Sequence, residues 1–259
     1  MTREQFLKYL LQKVAQEVTD NSSKVSSYSG DKGFLAEADL IAHETFRQEI
    51  KDFFPDDYVL SEEDNLNLFD ISTNKEFSWI IDPICGTTNY LYGFPFYSHS
   101  VTLFKNSKLF AAGVLDPLRK ELFFSYDNIF YLNNELLRLN NDILLEEAVI
   151  SINTNQSNFG NPHNSIKYII DKLSPPICRR IRIMESANLE LAYVACGRID
   201  AYYNPTDKPW DIAAAQLLVP SAGGAVKILN NSDENIFRQR GILAARSANL
   251  LNQILEVVE

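Results

Sequence analysis

Apolar positions near the start of the chain recur with helical spacing. Phe6, Leu10, Val14 and Val18, joined by Leu7 and Leu11, form one stripe and predict an amphipathic helix. A second helix is expected to open at Asp39 as its N-cap, with Leu40, Ile41, Phe46, Ile50 and Phe53–Phe54 apolar and Pro55 ending it. The period then changes. Tyr58-Val59-Leu60, Ser78–Asp82, Tyr97–Phe104, Leu109–Leu115 and Glu121–Tyr126 are rich in β-branched and aromatic residues and separated by short turns, as strands are. Helical spacing returns at Ala187–Cys196, Ile212–Ser221 and Ala248–Val258, with strand-like runs at Ile199–Tyr203, Ala225–Leu229 and Gly241–Ala245. The polar stretch Asn153–Asn164 is the longest loop-like segment. Helices bracketing two sets of strands predict layered α/β packing. A lobe of residues 1–145 carrying the acidic loops would meet a lobe of residues 146–259 in one compact unit.

Composition narrows what such a chain can do. With 259 residues, 46% of them hydrophobic and 22% charged, it has ample material for a core. Its 24 basic and 34 acidic side chains give a formal net charge of −10. That balance argues against binding a nucleic-acid polymer, which calls for a basic face. No apolar run approaches the roughly 18–20 residues of a membrane span, and the charged, amphipathic opening segment is unlike a secretory leader. Cys85, Cys178 and Cys196 are odd in number and scattered, so no disulfide framework is expected and a reducing cytoplasm fits.

Three acidic clusters remain to carry chemistry. The first, Ser61-Glu62-Glu63-Asp64, follows a short strand; alone it reads as a solvated turn. The second runs from Trp79 through Ile80, Ile81, Asp82, Pro83, Ile84, Cys85, Gly86, Thr87 and Thr88 to Asn89. It puts a carboxylate where a strand empties into a loop whose amides and hydroxyls can face an anion. The third, Lys208-Pro209-Trp210-Asp211, opens a helix, where Asp211 could simply be a cap. Carboxylates from separate segments are what hard divalent cations require, and such ions can position a water and neutralise charge on a phosphoryl group.

In this order and at these distances the clusters resemble the inositol monophosphatase family, magnesium-dependent, lithium-sensitive phosphatases related to fructose-1,6-bisphosphatase. Supporting matches are Leu35-Ala36-Glu37-Ala38-Asp39, Gly93-Phe94-Pro95-Phe96, Gly197-Arg198-Ile199-Asp200-Ala201-Tyr202 and Ser221-Ala222-Gly223-Gly224. The resemblance extends over roughly residues 5 to 255. It implies an α/β (α+β) fold, a five-layer α-β-α-β-α sandwich, a homodimer, and a site for a small phosphorylated cyclitol, sugar or nucleotide between the lobes. Glu62, Asp82 and the carbonyl of Ile84 would hold a first Mg2+, and Asp82 would bridge to a second metal shared with Asp211. Thr87, positioned by Asp39, would with Glu62 orient the attacking water. The amides of Gly86 and Thr87 would cradle the phosphate, and Lys208 would meet its charge. Glu185, Ser186, Ala187 and Asn204 would line the sugar or inositol side.

The departures from the family pattern cluster at the same loops. Cys85 stands where the family has a second loop aspartate that ligates the second metal. Magnesium has little affinity for a thiol, whereas zinc accepts one, so Mn2+ or Zn2+ becomes an alternative cofactor. Cys85 as a small buried filler is the competing reading. Ser61 replaces a glycine before Glu62, and Gly33 and Ala36 replace an aspartate and a threonine. Glu185 stands at a usual glycine, Asn204 at an acidic position and Ser221 at a glutamate. A carboxylate at Glu185 would repel an anionic substrate or hydrogen-bond a different hydroxyl pattern. Two functions follow: a metal-dependent phosphomonoesterase, or an impaired relative that acts as a binding or regulatory protein. His43, His99 and His163 share no ligand spacing and are assigned non-catalytic roles, the aromatic stretch Tyr90–Tyr97 is read as packing, and the run Arg179, Arg180 and Arg182 as a solvated edge.

Overall fold

A computed structural model of the chain describes residues 1–22, 26–28, 34–64, 75–140, 142–153, 165–229 and 240–258. Gly33, His163 and the polar stretch 154–164 lie outside the described residues. Helix α1 (Arg3–Asn21) buries the expected stripe of Phe6, Leu7, Leu10, Leu11, Val14 and Val18. The antiparallel pair β1 (Ser26–Tyr28) and β2 (Phe34–Ala36) leads straight into α2 (Glu37–Phe53). Because that helix begins at Glu37, Asp39 sits inside its first turn and does not cap it; its side chain is buried and turned toward the site described below. Leu40 and Phe53, expected on the buried face, are exposed.

A seven-stranded sheet follows, built from β3 (Tyr58–Ser61), β4 (Phe77–Cys85), β5 (Ser98–Lys105), β6 (Lys108–Asp116), β7 (Glu121–Tyr126), β8 (Ile129–Leu132) and β9 (Glu135–Leu136), in that spatial order. A short helix, α3 (Thr87–Tyr92), interrupts it after β4. The first pairing, β3 with β4, is parallel and the rest are antiparallel. The later chain supplies β10 (Val149–Ile152), α4 (Ile166–Leu173), β11 (Arg180–Arg182), α5 (Ala187–Ala195), β12 (Ala201–Asp207), α6 (Pro209–Ile212), α7 (Ala215–Ser221), β13 (Ala225–Leu229), β14 (Arg240–Ala245) and α8 (Ala248–Val258). Its five strands are ordered β11-β10-β12-β14-β13. The arginine run forms the edge strand β11, with Arg180 and Arg182 exposed. The helix expected over Ile212–Ser221 starts earlier and divides into α6 and α7, although Ala213 and Ala214 between them keep helical backbone angles.

Side chains alternating across each strand assign the layers. On one face of the larger sheet, Ala111, Leu115, Leu122 and Phe124 pack with α1 and α2. On the other, Ala112, Val114 and Phe123 share a core with α5 and α7, which also takes Tyr202, Ile242 and Ala244 from the smaller sheet. The far face of that sheet presents Ala201, Tyr203, Leu243 and Ala245 to α4 and α8. The result is the five-layer α-β-α-β-α sandwich. Gly113 makes the first contact possible, because a Cβ there would stand 2.7 Å from both Leu7 and Leu11. The Asp57 carboxylate ties α1 to β4, accepting from Arg3 Nε and Nη2 at 2.8 and 2.9 Å and from Trp79 Nε1 at 2.8 Å. Among the described residues no helix is long and apolar enough to cross a membrane.

Candidate active site

The first acidic cluster is not a solvated turn. Parallel pairing with β4 carries the chain to Ser61, which is buried, and the Glu62 amide still donates to the Ile81 carbonyl at 3.3 Å. Asp64 closes the turn by accepting from the Ser61 amide at 2.9 Å, and it pairs with Arg47. The Ser61 hydroxyl lies 2.8 Å from His43 Nδ1. Glu62 is left facing the other acids.

The nearest of them, Asp82, arrives through a bulge in β4. Asp82 pairs with Ser100 and Cys85 with Ser98, so three steps on β4 oppose two on β5. In a regular strand, residues three apart face opposite sides; the extra residue turns Asp82 and Cys85 to the same side. Pro83 suits this position because it has no amide for the ladder to use. Its carbonyl accepts from His99 Nδ1. Burial lowers the His99 pKa to about 4, so the ring is neutral and the proton in that bond sits on Nδ1. His99 is therefore a buried strut for the bulge.

Ligand atoms of Asp82, Cys85 and Asp211 lie within 4.8 Å of one another. Asp211 reaches this cluster from the first turn of α6, and it also accepts from the Lys208 amide at 2.9 Å, the capping role open to it by sequence. Burial followed by the charges of Asp82 and Asp211 pushes the Glu62 carboxyl well above the ordinary carboxylate range. Burial and Asp211 do the same to Asp82, and burial pushes Asp211 up to about 6. The Cys85 thiol is pushed up by burial and by Asp82, so it stays protonated near neutrality. Carboxylates crowded so that they resist ionising together are those a cation would relieve.

On the α3 side, the Thr87 hydroxyl lies 3.2 Å from both Asp39 Oδ1 and the Ile84 carbonyl. Gly86 precedes it with φ +100°, and a Cβ there would stand 3.1 Å from the Glu185 carbonyl and 3.2 Å from Ser186 Cβ. Glycine is required on both counts. The opposite wall is the turn into α5. Asn89 Nδ2 holds it by donating to the carbonyls of Met184 at 2.6 Å and Phe96 at 2.7 Å, and Ser186 Oγ donates to the Cys85 carbonyl at 2.8 Å. Glu185 adopts φ +59° in this turn, a left-handed conformation in which an L-residue is strained and glycine is not. Ser186, Ala187 and Asn204 are buried, and Asn204 Nδ2 donates to Asp207. Of the residues expected on the sugar side, only Glu185 is partly exposed; Lys208, expected at the phosphate, is exposed at the head of α6.

Asn188 in the first turn of α5 is a site residue that motif reading missed. Its Nδ2 donates to Asp82 Oδ2 at 2.8 Å and to the Trp210 carbonyl at 3.2 Å, and its backbone amide donates to Cys85 Sγ at 3.3 Å. The available signal was an amide in a largely apolar helix whose other strongly polar residue is Glu190, since a buried polar side chain calls for a partner. Asp82 Oδ1, by contrast, is buried and accepts no hydrogen bond among the described residues.

That bare oxygen, on a carboxylate whose neighbours include Glu62, suits one hard divalent cation. The Cys85 thiol and the Asn188 donors do not suit a second magnesium ion.

The family model for the inositol monophosphatase family matches residues 3–259. The chain is 36% identical over 201 residues to a protein named Nus factor SuhB from Xylella fastidiosa, covering 77% of this chain and 70% of that one. It is 30% identical over 267 residues to a fructose-1,6-bisphosphatase/inositol-1-monophosphatase from Thermotoga maritima, covering 100% and 99%. Among solved structures, the extragenic suppressor protein suhB from Bartonella henselae superposes with a TM-score of 0.85 at 25% identity, covering 98% of this chain and 96% of that one.

Proposed function

We propose, from the premise that this chain belongs to the inositol monophosphatase family, that it is a metal-dependent phosphomonoesterase acting on a small phosphorylated cyclitol, sugar or nucleotide. The observation that carries this reading is the convergence of Glu62, Asp82 and Asp211, with Asp82 Oδ1 buried and without a hydrogen bond of good geometry among the described residues. Glu62, Asp82 and the Ile84 carbonyl would hold a divalent cation, with Asp211 close by. Bound there, the cation supplies an activated water and charge neutralisation at the phosphoryl group.

The protein's own part is to position and to exclude. The Thr87 hydroxyl, donating toward Asp39, turns its oxygen lone pair to the water, and Glu62 accepts on the water's other side. The amides of Gly86 and Thr87 bind phosphate oxygens, and the Lys208 ammonium offsets the remaining charge. Glu185 borders the space for the organic part of the substrate and disfavours a second anionic group there. In this reading Mg2+ is the resident ion, with Mn2+ next because it shares the preference for oxygen ligands. Zn2+ is the arm that would implicate the Cys85 thiol.

A cytoplasmic homodimer completes the reading; three unpaired cysteines support a reducing compartment, and light scattering tests the dimer. A second reading, a regulatory protein with or without turnover, is favoured by the relative named Nus factor SuhB. The test of the first is an assay of the full chain on a panel of phosphate monoesters with magnesium, manganese and zinc, beside Cys85→Asp. Turnover by the parent with any of these metals supports the enzyme. Background rates with every metal, in a folded parent whose Cys85→Asp variant turns over, would favour the regulatory reading.

A further inference from the structure

The Asp82 carboxylate is divided. One oxygen, Oδ1, is buried and accepts no hydrogen bond among the described residues, whereas Oδ2 accepts the Asn188 amide at 2.8 Å. The same Nδ2 also donates to the Trp210 carbonyl, immediately before Asp211. Asn188 thus bridges an oxygen of β4 to an oxygen of α6, the two elements that supply Asp82 and Asp211. Its backbone amide donates to the sulfur of Cys85. All three N–H donors of this residue are directed at the Asp82–Cys85–Asp211 side of the site.

Resting on the phosphatase reading, we infer that Asn188 takes the place of a second cation, so that this chain holds a single divalent ion, on the Glu62–Asp82 side. An amide hydrogen pointing at a carboxylate lone pair satisfies it as a cation would, and its dipole repels a cation approaching along the same direction. Asn188 is buried, with Leu189 and Leu191 beside it held in the core between the sheets; its Oδ1 has no partner among the described residues, so its donors alone fix the side chain. Cys85 fits the same logic. A carboxylate there would add a charge that an amide dipole cannot balance, whereas a neutral thiol accepting one N–H is balanced. The residues at 85 and 188 therefore act together as determinants of metal number.

Metal stoichiometry tests this without reference to turnover. The full chain is titrated with Mn2+, and free ion is read by electron paramagnetic resonance beside Cys85→Asp and Cys85→Asp/Asn188→Ala. The parent is expected to bind about one ion per chain, Cys85→Asp about one, and the double variant about two. Two ions in the parent, or a second ion gained by Cys85→Asp with Asn188 intact, would overturn the inference and leave the phosphatase reading standing. A folded parent that binds no ion overturns that reading, and this inference with it. The parent titration decides against the inference even where the double variant fails to fold.

Discussion

One side of the site, built by β3, α2 and α3, brings Glu62, Asp39 and Thr87 to Asp82, whose Oδ1 has no hydrogen-bond partner among the described residues. On the side built by α5 and α6, the other Asp82 oxygen and the neighbouring sulfur meet three N–H donors from Asn188. Asp82, Cys85 and Asn188 are buried, whereas Glu62, Thr87 and Asp211 at the rim are partly exposed. Buried polar atoms are nearly always paired; the unpaired carboxylate oxygen calls for an ion, whereas on the other side the unpaired atoms among the described residues are the Asn188 amide oxygen and the Trp210 indole N–H. The difference separates a half of the site completed by ligand from a half completed by protein.

The largest expected effect comes from removing the atom both halves share. Asp82→Asn should lower kcat/KM by about 1000-fold, because losing a metal ligand removes several kcal/mol of transition-state stabilisation. It should also raise the melting temperature of the metal-free protein by relieving a buried charge. An Asp82→Asn protein with parental magnesium-dependent rates would refute the assignment of the ion-binding half.

Next is the pH dependence of the metal-free protein. Folded Asp211 keeps its proton up to a pKa of about 6, against 3.8 ordinarily. Its stabilising effect is thus complete below about 3.8 and lost as pH rises through 6. About 2 pKa units corresponds to about 3 kcal/mol, with Glu62 and Asp82 adding in the same direction. Urea unfolding without metal should show this loss, and millimolar magnesium should restore it. Glu190, which accepts from Ser151 and from the Ser186 amide, is pushed up to about 8 by burial. It adds a further loss at higher pH that magnesium does not reverse. Stability independent of pH in the metal-free protein would contradict the account of crowded acids.

Thr87→Ala should cost about 10- to 100-fold in kcat, the usual scale for a group that orients a reacting partner, while Mn2+ affinity stays near the parent value. Thr87→Ser should recover most of the rate. Equal losses in both variants would mean that the Thr87 methyl, and not its hydroxyl, is what counts. The smallest effect is at the protein-completed wall. Glu185→Gly should stabilise by up to about 1 kcal/mol by relieving a left-handed L-residue, and KM for an anionic substrate should fall a few-fold. A rise in KM would show that Glu185 grips substrate.

How far the sequence reveals this molecule depends on the distance over which the information is carried. The α1 stripe and the strand Glu121–Tyr126 are legible because the period of apolar positions is local. Strands β10 and β11 are short, too brief for a period to register, and β11 reads only as a basic run. The convergence of Glu62, Asp82 and Asp211 is what the family resemblance implies, whereas Asn188 has no such guide: its partners Asp82 and Trp210 are 106 and 22 residues away. No spacing rule within a helix anticipates them. Asp39 is expected at the site only through the family resemblance, and its local reading fails because an aspartate near a helix start looks like a cap.

The bulge in β4 has a consequence for how this site can vary over time. Donor atoms at 82 and 85 face the same way only because the strand carries one residue more than its partner across that interval. Substitution at 85 changes which atom arrives: oxygen, sulfur or none. Insertion or deletion between 82 and 85 would turn one of the two side chains to the opposite layer and place it among the packed helices. Lineages of this chain can thus exchange chemistry at the site one letter at a time, but they cannot alter its count of letters.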